Sequence, residues 1–302
     1  MARTRHWRIN GSETGDMTFL DRLIDFYQRN CEGTDAMLGG IWRGVSALYE
    51  PFCNALKAGD VAVVQAMLDS MGRDNKLYGL EAGKLYTFED SWCFPYLQKF
   101  ANLAGVLPYQ HLNQATGDQW KVKDVAATVK AIECELGATL TVPPCFGLSG
   151  EGVPLRMMMY HAAAALTIRR LMAPRHILEI GAGLGNIGYI AHQWGVKSYT
   201  VIDLPHIAVL SAYFASKYCD EQDILFHDAM WSYWDGHNYP AYDLIFNCDS
   251  LPEMPIAVQD HYIDLICDRL EPLGVFISIN HESNRDGQRR VLDAVKTKLK
   301  LQ

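Results

Sequence analysis

The stretch that most limits what this chain can become is Ile177-Leu178-Glu179-Ile180-Gly181-Ala182-Gly183-Leu184-Gly185-Asn186. A short apolar run ends in three alternate glycines and passes into a segment, 186–194, that reads as a helix. Glycines at such a place let the backbone turn tightly and let a ligand approach closely. The turn sits at a helix N-terminus, whose N–H groups favour negative charge. Asp203 closes the next apolar run, 20 residues after Gly183, where a carboxylate can accept hydrogen bonds from ribose hydroxyls. Together these features point to a nucleotide-containing ligand.

The rest of the second half repeats the alternation. Short apolar runs at 177–180, 199–202, 224–226, 243–246 and 275–279 read as strands. Helical patterns at 186–194, 207–218 and 257–270 lie between them, and 288–301 reads as a last helix. Strands alternating with helices predict an α/β fold with a doubly wound sheet of at least five parallel strands. The first half reads as helices. Apolar residues recur at helical spacing over 19–27, Asp60 is placed to cap 61–68, and Asp124 to cap 125–136. Pro154 falls near the first turn of a long helix reaching about Leu171. A chain of 302 residues, at roughly 150 per domain, divides into a mostly helical N-terminal domain, 1–150, and an α/β domain, 151–302.

Charge is unevenly spread. Residues 1–175 hold 18 Lys+Arg and 18 Asp+Glu; residues 176–302 hold the other 9 and 17, so the whole net charge of −8 lies there. An acidic second half is a poor match for a phosphate backbone, and nucleic acid is not expected as a partner. None of the 8 cysteines forms a CxxC pair, which fits reduced thiols and a cytoplasmic location. Arg169 and Arg170 cut the most apolar helix well short of the roughly 18 residues a membrane span needs. The start, Met1 to Arg8, is basic but has no apolar stretch of the secretory kind.

Two cofactor classes use a turn of this shape. Gly183-Leu184-Gly185-Asn186-Ile187-Gly188 satisfies the dinucleotide spacing literally, yet the turn begins at Gly181, and counted from there the third glycine is replaced by Asn186. Glu179 discriminates further. A carboxylate at the strand end repels a pyrophosphate and attracts the ammonium of a methionine moiety, which favours S-adenosylmethionine (SAM) over NAD. The alternative, a strand-end carboxylate satisfied within the protein, stays open, since burying it unpaired would be costly.

At these residues the sequence resembles the class I SAM-dependent methyltransferases. Glu179 to Gly185 looks like their first motif, Val201-Ile202-Asp203-Leu204-Pro205 like the acidic second, and Phe226-His227-Asp228-Ala229-Met230 like the third. Asn247-Cys248-Asp249-Ser250-Leu251-Pro252-Glu253-Met254, with Asp203-Leu204-Pro205, resembles a sugar O-methyltransferase group within that class. The resemblance implies a Rossmann-like domain that binds SAM and releases S-adenosylhomocysteine. It places the cofactor at Glu179, Gly181, Gly183, Gly185, Asn186, Asp203, Leu204, Asp228, Ala229 and Asn247, with Asp228 at the adenine. The class usually adds two strands after the fifth. Only 19 residues follow Ser283 here, so a second subunit in a homodimer is one expected cover for that edge.

Transfer to a hydroxyl needs a base, because the proton must leave as the C–O bond forms. His281, just past the last strand, is the first choice; Asp249 is the second, as base or as the group orienting one. Glu253 is a candidate for binding an acceptor hydroxyl or for capping the helix that follows. Arg156 and Tyr160, four apart on the long helix, share a face that could cover the methionine end. No ligand spacing calls for a metal. The expected partner is a small-molecule acceptor, a sugar or sugar-containing compound. Methylation of nitrogen, carbon or a carboxylate of a natural product is the alternative, with an NAD-dependent oxidoreductase or a non-catalytic cofactor-binding partner more distant.

Overall fold

The computed structural model describes residues 17–32, 38, 40–74, 76–77, 80, 112–114, 120–122, 125–147, 156–220, 241–280 and 289–298. The described residues of the N-terminal part include five helices: α1 Phe19–Asn30, α2 Gly40–Leu48, α3 Glu50–Ala58, α4 Val61–Ser70 and α5 Val125–Leu136. Local chemistry fixes the ends. The Thr18 hydroxyl accepts from Asp21 N–H while the Asp21 carboxylate accepts from Thr18 N–H, a reciprocal cap that starts α1. Asp60 accepts from Val63 N–H at 3.1 Å, as its position before α4 predicts. Gly59 ends α3 in the left-handed conformation. A small antiparallel pair, β1 Leu112–Gln114 and β2 Trp120–Val122, lies between α4 and α5 in the chain. This pair is not evident in the pattern of the sequence, and the separation of α2 from α3 is marked there only by Pro51 in the first turn of α3.

The C-terminal part opens with α6 Arg156–Leu171 and continues as β3 His176–Ile180, α7 Asn186–Gln193, β4 Ser198–Ile202, α8 Pro205–Ala215, β5 Tyr242–Cys248, α9 Ile256–Arg269, β6 Leu270–Ile279 and α10 Val291–Lys298. The four strands form one parallel sheet in the order β4-β3-β5-β6. Among the described residues the sheet therefore has four strands rather than the expected five or more; the expected strand at 224–226 lies outside them. The last strand begins at Leu270, five residues earlier than the apolar run suggests, because α9 passes into it directly.

Alternation along each strand feeds two apolar layers. Ile177, Leu244, Phe246 and Ile277 face α6, α7 and α8 in one cluster, while Leu178, Ile180, Ile202 and Ile245 face α9 and α10 in another. The first cluster continues without a break into Leu23, Phe52, Leu56 and Leu68 of the N-terminal helices. At the amino ends of the strands, Asp243 accepts from the backbone N–H groups of Arg175 and His176, both at 2.8 Å, which fixes β5 against β3. From β3 the chain first crosses to β4 on one side, then to β5 on the other. That reversal opens a crevice at the carboxyl ends of β3 and β5, where open α/β sheets bind their ligands. No described helix is long and apolar enough to cross a membrane.

Candidate functional site

Strand β3 delivers the chain to the crevice, and the glycine turn begins at once. Gly181, Gly183 and Gly185 have φ of 72°, 59° and 81°, the left-handed region in which a side chain is strained. A Cβ on Gly181 would lie 2.0 Å from the Ser250 hydroxyl, and one on Gly185 2.8 Å from that of Ser211. Gly185 caps α7 from this conformation. Gly188, the last glycine of the literal dinucleotide spacing, serves packing instead, since its missing side chain makes room for the Tyr199 ring. That supports reading the turn from Gly181.

The second strand end locks onto this turn. Asp203 accepts from Gly183 N–H at 2.8 Å through one oxygen and from Leu204 N–H at 2.7 Å through the other. Burial raises its carboxyl to about 7, against the lowering effect of those two backbone donors. Glu179 is 1% exposed, and its carboxyl accepts from the Tyr199 hydroxyl across the β3–β4 pair. Burial, with Asp203 nearby, pushes Glu179 well above the usual carboxylate range. The Tyr199 bond is the internal satisfaction that the sequence left open for this residue.

The third strand end is braced to the first. Asn247 donates from Nδ2 to the Ile180 carbonyl at 2.8 Å and contacts the Ser250 hydroxyl, which itself donates to Ile180 at 2.9 Å. Two side chains thus occupy the carbonyl where β3 ends. Asp249 follows in a left-handed conformation, φ 58°, with its N–H bonded to the Ile279 carbonyl at 2.9 Å. A non-glycine residue held there is a strained position of the kind that collects at functional sites. The Tyr160 hydroxyl interacts with both Asp249 and Cys248; burial first, then these two groups, drive its ionisation far upward. Tyr160 is consequently a proton-bearing donor.

Helix α6 contributes a further residue. His161 is buried, its Nδ1 lies 3.0 Å from Nδ2 of Asn186, and Oδ1 of Asn186 has no partner among the described residues. Burial lowers His161 to about 4, with Asp249 acting in the opposite direction, so the ring is neutral. Arg156 begins the same helix. Glu253, in the 3-10 turn Leu251–Glu253, accepts from the indole N–H of Trp42 on α2. Leu80 packs against Gly183 from the N-terminal part, its Cδ2 3.3 Å from where a Cβ would stand.

The crevice thus brings together Glu179, the three glycines, Asn186, Asp203, Leu204, Asn247, Asp249 and Tyr160. Glu253 is engaged with the N-terminal helices. Asp228, Ala229 and His281 lie outside the described residues. Sequence reasoning passes over Ser250, Tyr199, Trp42 and the pairing of His161 with Asn186. An isolated serine or tyrosine carries no pattern, while the Asn186 position directly after the last glycine is the one available signal. Among the described residues, no group of 3 or more His, Cys, Asp or Glu side chains could hold a metal ion.

No family model matches the chain, and no curated protein matches it. Among solved structures it is similar to human N-acetylserotonin methyltransferase in complex with SAM. That likeness has 11% sequence identity and a TM-score of 0.31, over 92% of this chain and 79% of that one. So distant a likeness adds nothing to what the residues of the crevice themselves support.

Proposed function

We propose that this protein is a SAM-dependent methyltransferase that methylates a hydroxyl of a sugar or sugar-containing small molecule. The observation that carries the cofactor class is the Gly183–Asp203 bond: a left-handed glycine turn joined to an acidic strand end. The residues present fit such a cofactor. Three left-handed glycines shape a tight turn ahead of the α7 N-terminus, Asp203 ends β4 where ribose would lie, and among the described residues a buried polar atom of Asn186 stands unpartnered beside the turn.

When bound, SAM supplies an electrophilic methyl on a sulfonium. The protein's part is to position an acceptor oxygen in line with it and to exclude water. Asp203 is assigned the ribose, the turn from Gly181 to Gly185, with Leu204, the adenosyl part, and Asn186 the methionine part; Asn247 supports the turn through Ile180. Asp228 and Ala229 are assigned the adenine, while Arg156 and Tyr160 cover the methionine end. The acceptor proton goes to Asp249 or His281, with Tyr160 donating to Asp249 and so holding its carboxylate in place. Glu253, through Trp42, ties the acceptor side to the N-terminal helices, which are proposed to line the acceptor pocket and to provide a homodimer surface. The enzyme works in the cytoplasm on a small molecule, without a nucleic acid or membrane partner.

Calorimetry with S-adenosylhomocysteine and with NADH tests the cofactor class. Tight binding of the first and none of the second is expected; the reverse would sink the proposal. Mass spectrometry of cell extracts incubated with the protein and methyl-labelled SAM then identifies the acceptor, which is expected to carry the label on a hydroxyl oxygen.

A further inference from the structure

Asn186 is the first residue of α7, and His161 lies in the second turn of α6; the two meet as a buried pair beside the glycine turn. An amide nitrogen has only donors to offer, so Nδ1 of His161 must accept, and the ring proton of the neutral imidazole sits on Nε2. The opposite assignment would turn the amide round and leave its N–H2 orphaned instead. Buried orphan N–H groups are rarer than under-satisfied carbonyls, which favours the arrangement with Oδ1 free. The groups acting on His161 are Asp249 at the end of β5 and Tyr160 on its own helix, whose ring centroid is 6.0 Å away.

Among the described residues Oδ1 of Asn186 differs from the other acceptors around the turn in having no protein donor at all. Glu179 receives Tyr199, and the two oxygens of Asp203 receive Gly183 and Leu204. The N-terminus of α7 suits a carboxylate. An amino acid docked here with its carboxylate toward that N-terminus therefore needs a separate acceptor for its ammonium. Oδ1 of Asn186 has that capacity and is 1% exposed, so leaving it unfilled is costly.

We infer that His161, as the Nε2–H tautomer, locks the Asn186 amide so that its Oδ1 receives the amino group of the cofactor's methionine moiety. His161 is then a positioning residue for aminoacyl recognition. This inference rests on the methyltransferase reading and deepens it. It moves the direct ammonium contact from Glu179 to Asn186, since Glu179 already holds Tyr199.

Two measurements test it on the full-length protein. Nitrogen NMR of the ligand-free protein should show His161 as the Nε2–H tautomer; an Nδ1–H ring overturns the inference whatever the cofactor is. Calorimetry then compares S-adenosylhomocysteine with methylthioadenosine, which lacks the amino-acid moiety. His161→Phe and Asn186→Ala are each expected to weaken the first ligand about tenfold and leave the second unchanged. Equal losses on both ligands, or no loss on either, overturn it. Failure of the wild-type protein to bind either adenosyl ligand removes the methyltransferase reading itself, a result distinct from loss of the difference between the two.

Discussion

Ser250 stands where a side chain on Gly181 would have to go. Its hydroxyl would lie 2.0 Å from a Cβ at Gly181, and it donates to the Ile180 carbonyl one residue before. The turn and the end of β5 are thus shaped around each other. Gly181→Ala combines a left-handed backbone with this clash and should lower stability by roughly 2–4 kcal/mol in chemical denaturation. Ser250→Gly in the same chain should restore part of the loss by removing the obstacle. Absence of any recovery would show that backbone strain alone is responsible.

Asp203 offers a readout of ligand contact. Its folded-state value is raised from 3.8 to about 7, so the empty folded protein binds a proton there that the unfolded chain has already released. Stability from this group is present below the unfolded value and declines as pH rises through about 7. Hydrogen bonds from ribose hydroxyls favour the carboxylate and pull its value down. Binding of S-adenosylhomocysteine near pH 6.5 is therefore expected to release protons, seen as a dependence of the calorimetric heat on buffer ionisation enthalpy. A heat independent of buffer would detach Asp203 from the ribose.

Two buried histidines predict sensitivity to acid. Desolvation lowers His161 and His206 from 6.5 to about 4, and His206 packs its ring 5.2 Å from that of Tyr49. The unfolded chain takes up these protons below its ordinary value while the folded chain does not. Their contribution is complete above about pH 6.5 and is lost progressively toward about pH 4. His206→Phe keeps the ring packing and removes one titrating group. Urea midpoints for this variant should fall less steeply with acid than those of the wild type.

Asp249 separates turn formation from chemistry. Its φ of 58° is strained for any residue with a side chain, and glycine relieves that strain. Asp249→Gly relieves the backbone strain but takes an acceptor from the Tyr160 hydroxyl, so stability should change by no more than about 1 kcal/mol in either direction while most methyl transfer is lost. Full turnover in a stable variant would leave His281 as the base.

Glu253 and Trp42 should behave as one unit. Removing either the carboxylate or the indole N–H breaks the same partly buried bond. Glu253→Ala and Trp42→Phe are expected to show a coupling of about 1 kcal/mol in a double-mutant cycle on stability. Additive effects would mean that the bond contributes nothing measurable.

Much of the site is legible in the sequence because it is local. The glycines, Asp203 and the strand before them are consecutive or evenly spaced, and the short apolar runs of β3 and β5 mark the sheet directly. The unforeseen contacts are those between elements distant in sequence. Ser250 and Ile180 are 70 residues apart, and Trp42 and Glu253 are 211 apart. No spacing rule connects such pairs; only packing does. The break between α2 and α3 is easily passed over because Tyr49 alone separates them and its one local signal is Pro51 in the first turn of α3. Glu179 shows a different difficulty. Its position at the strand end is evident, but whether a ligand or Tyr199 satisfies it depends on what β4 presents across the sheet.

The apolar interior does not respect the midpoint of the chain. Leu23 and Leu56 from the first helices lie in the same cluster as Ile187, Leu210 and Phe246 around the sheet. Among the described residues the two halves share one inner surface, so covalent continuity alone is not what keeps them together. Two fragments meeting near residue 150, produced separately and mixed, should recognise each other through that interior. Either fragment alone would present a broad greasy face to water and require a chaperone.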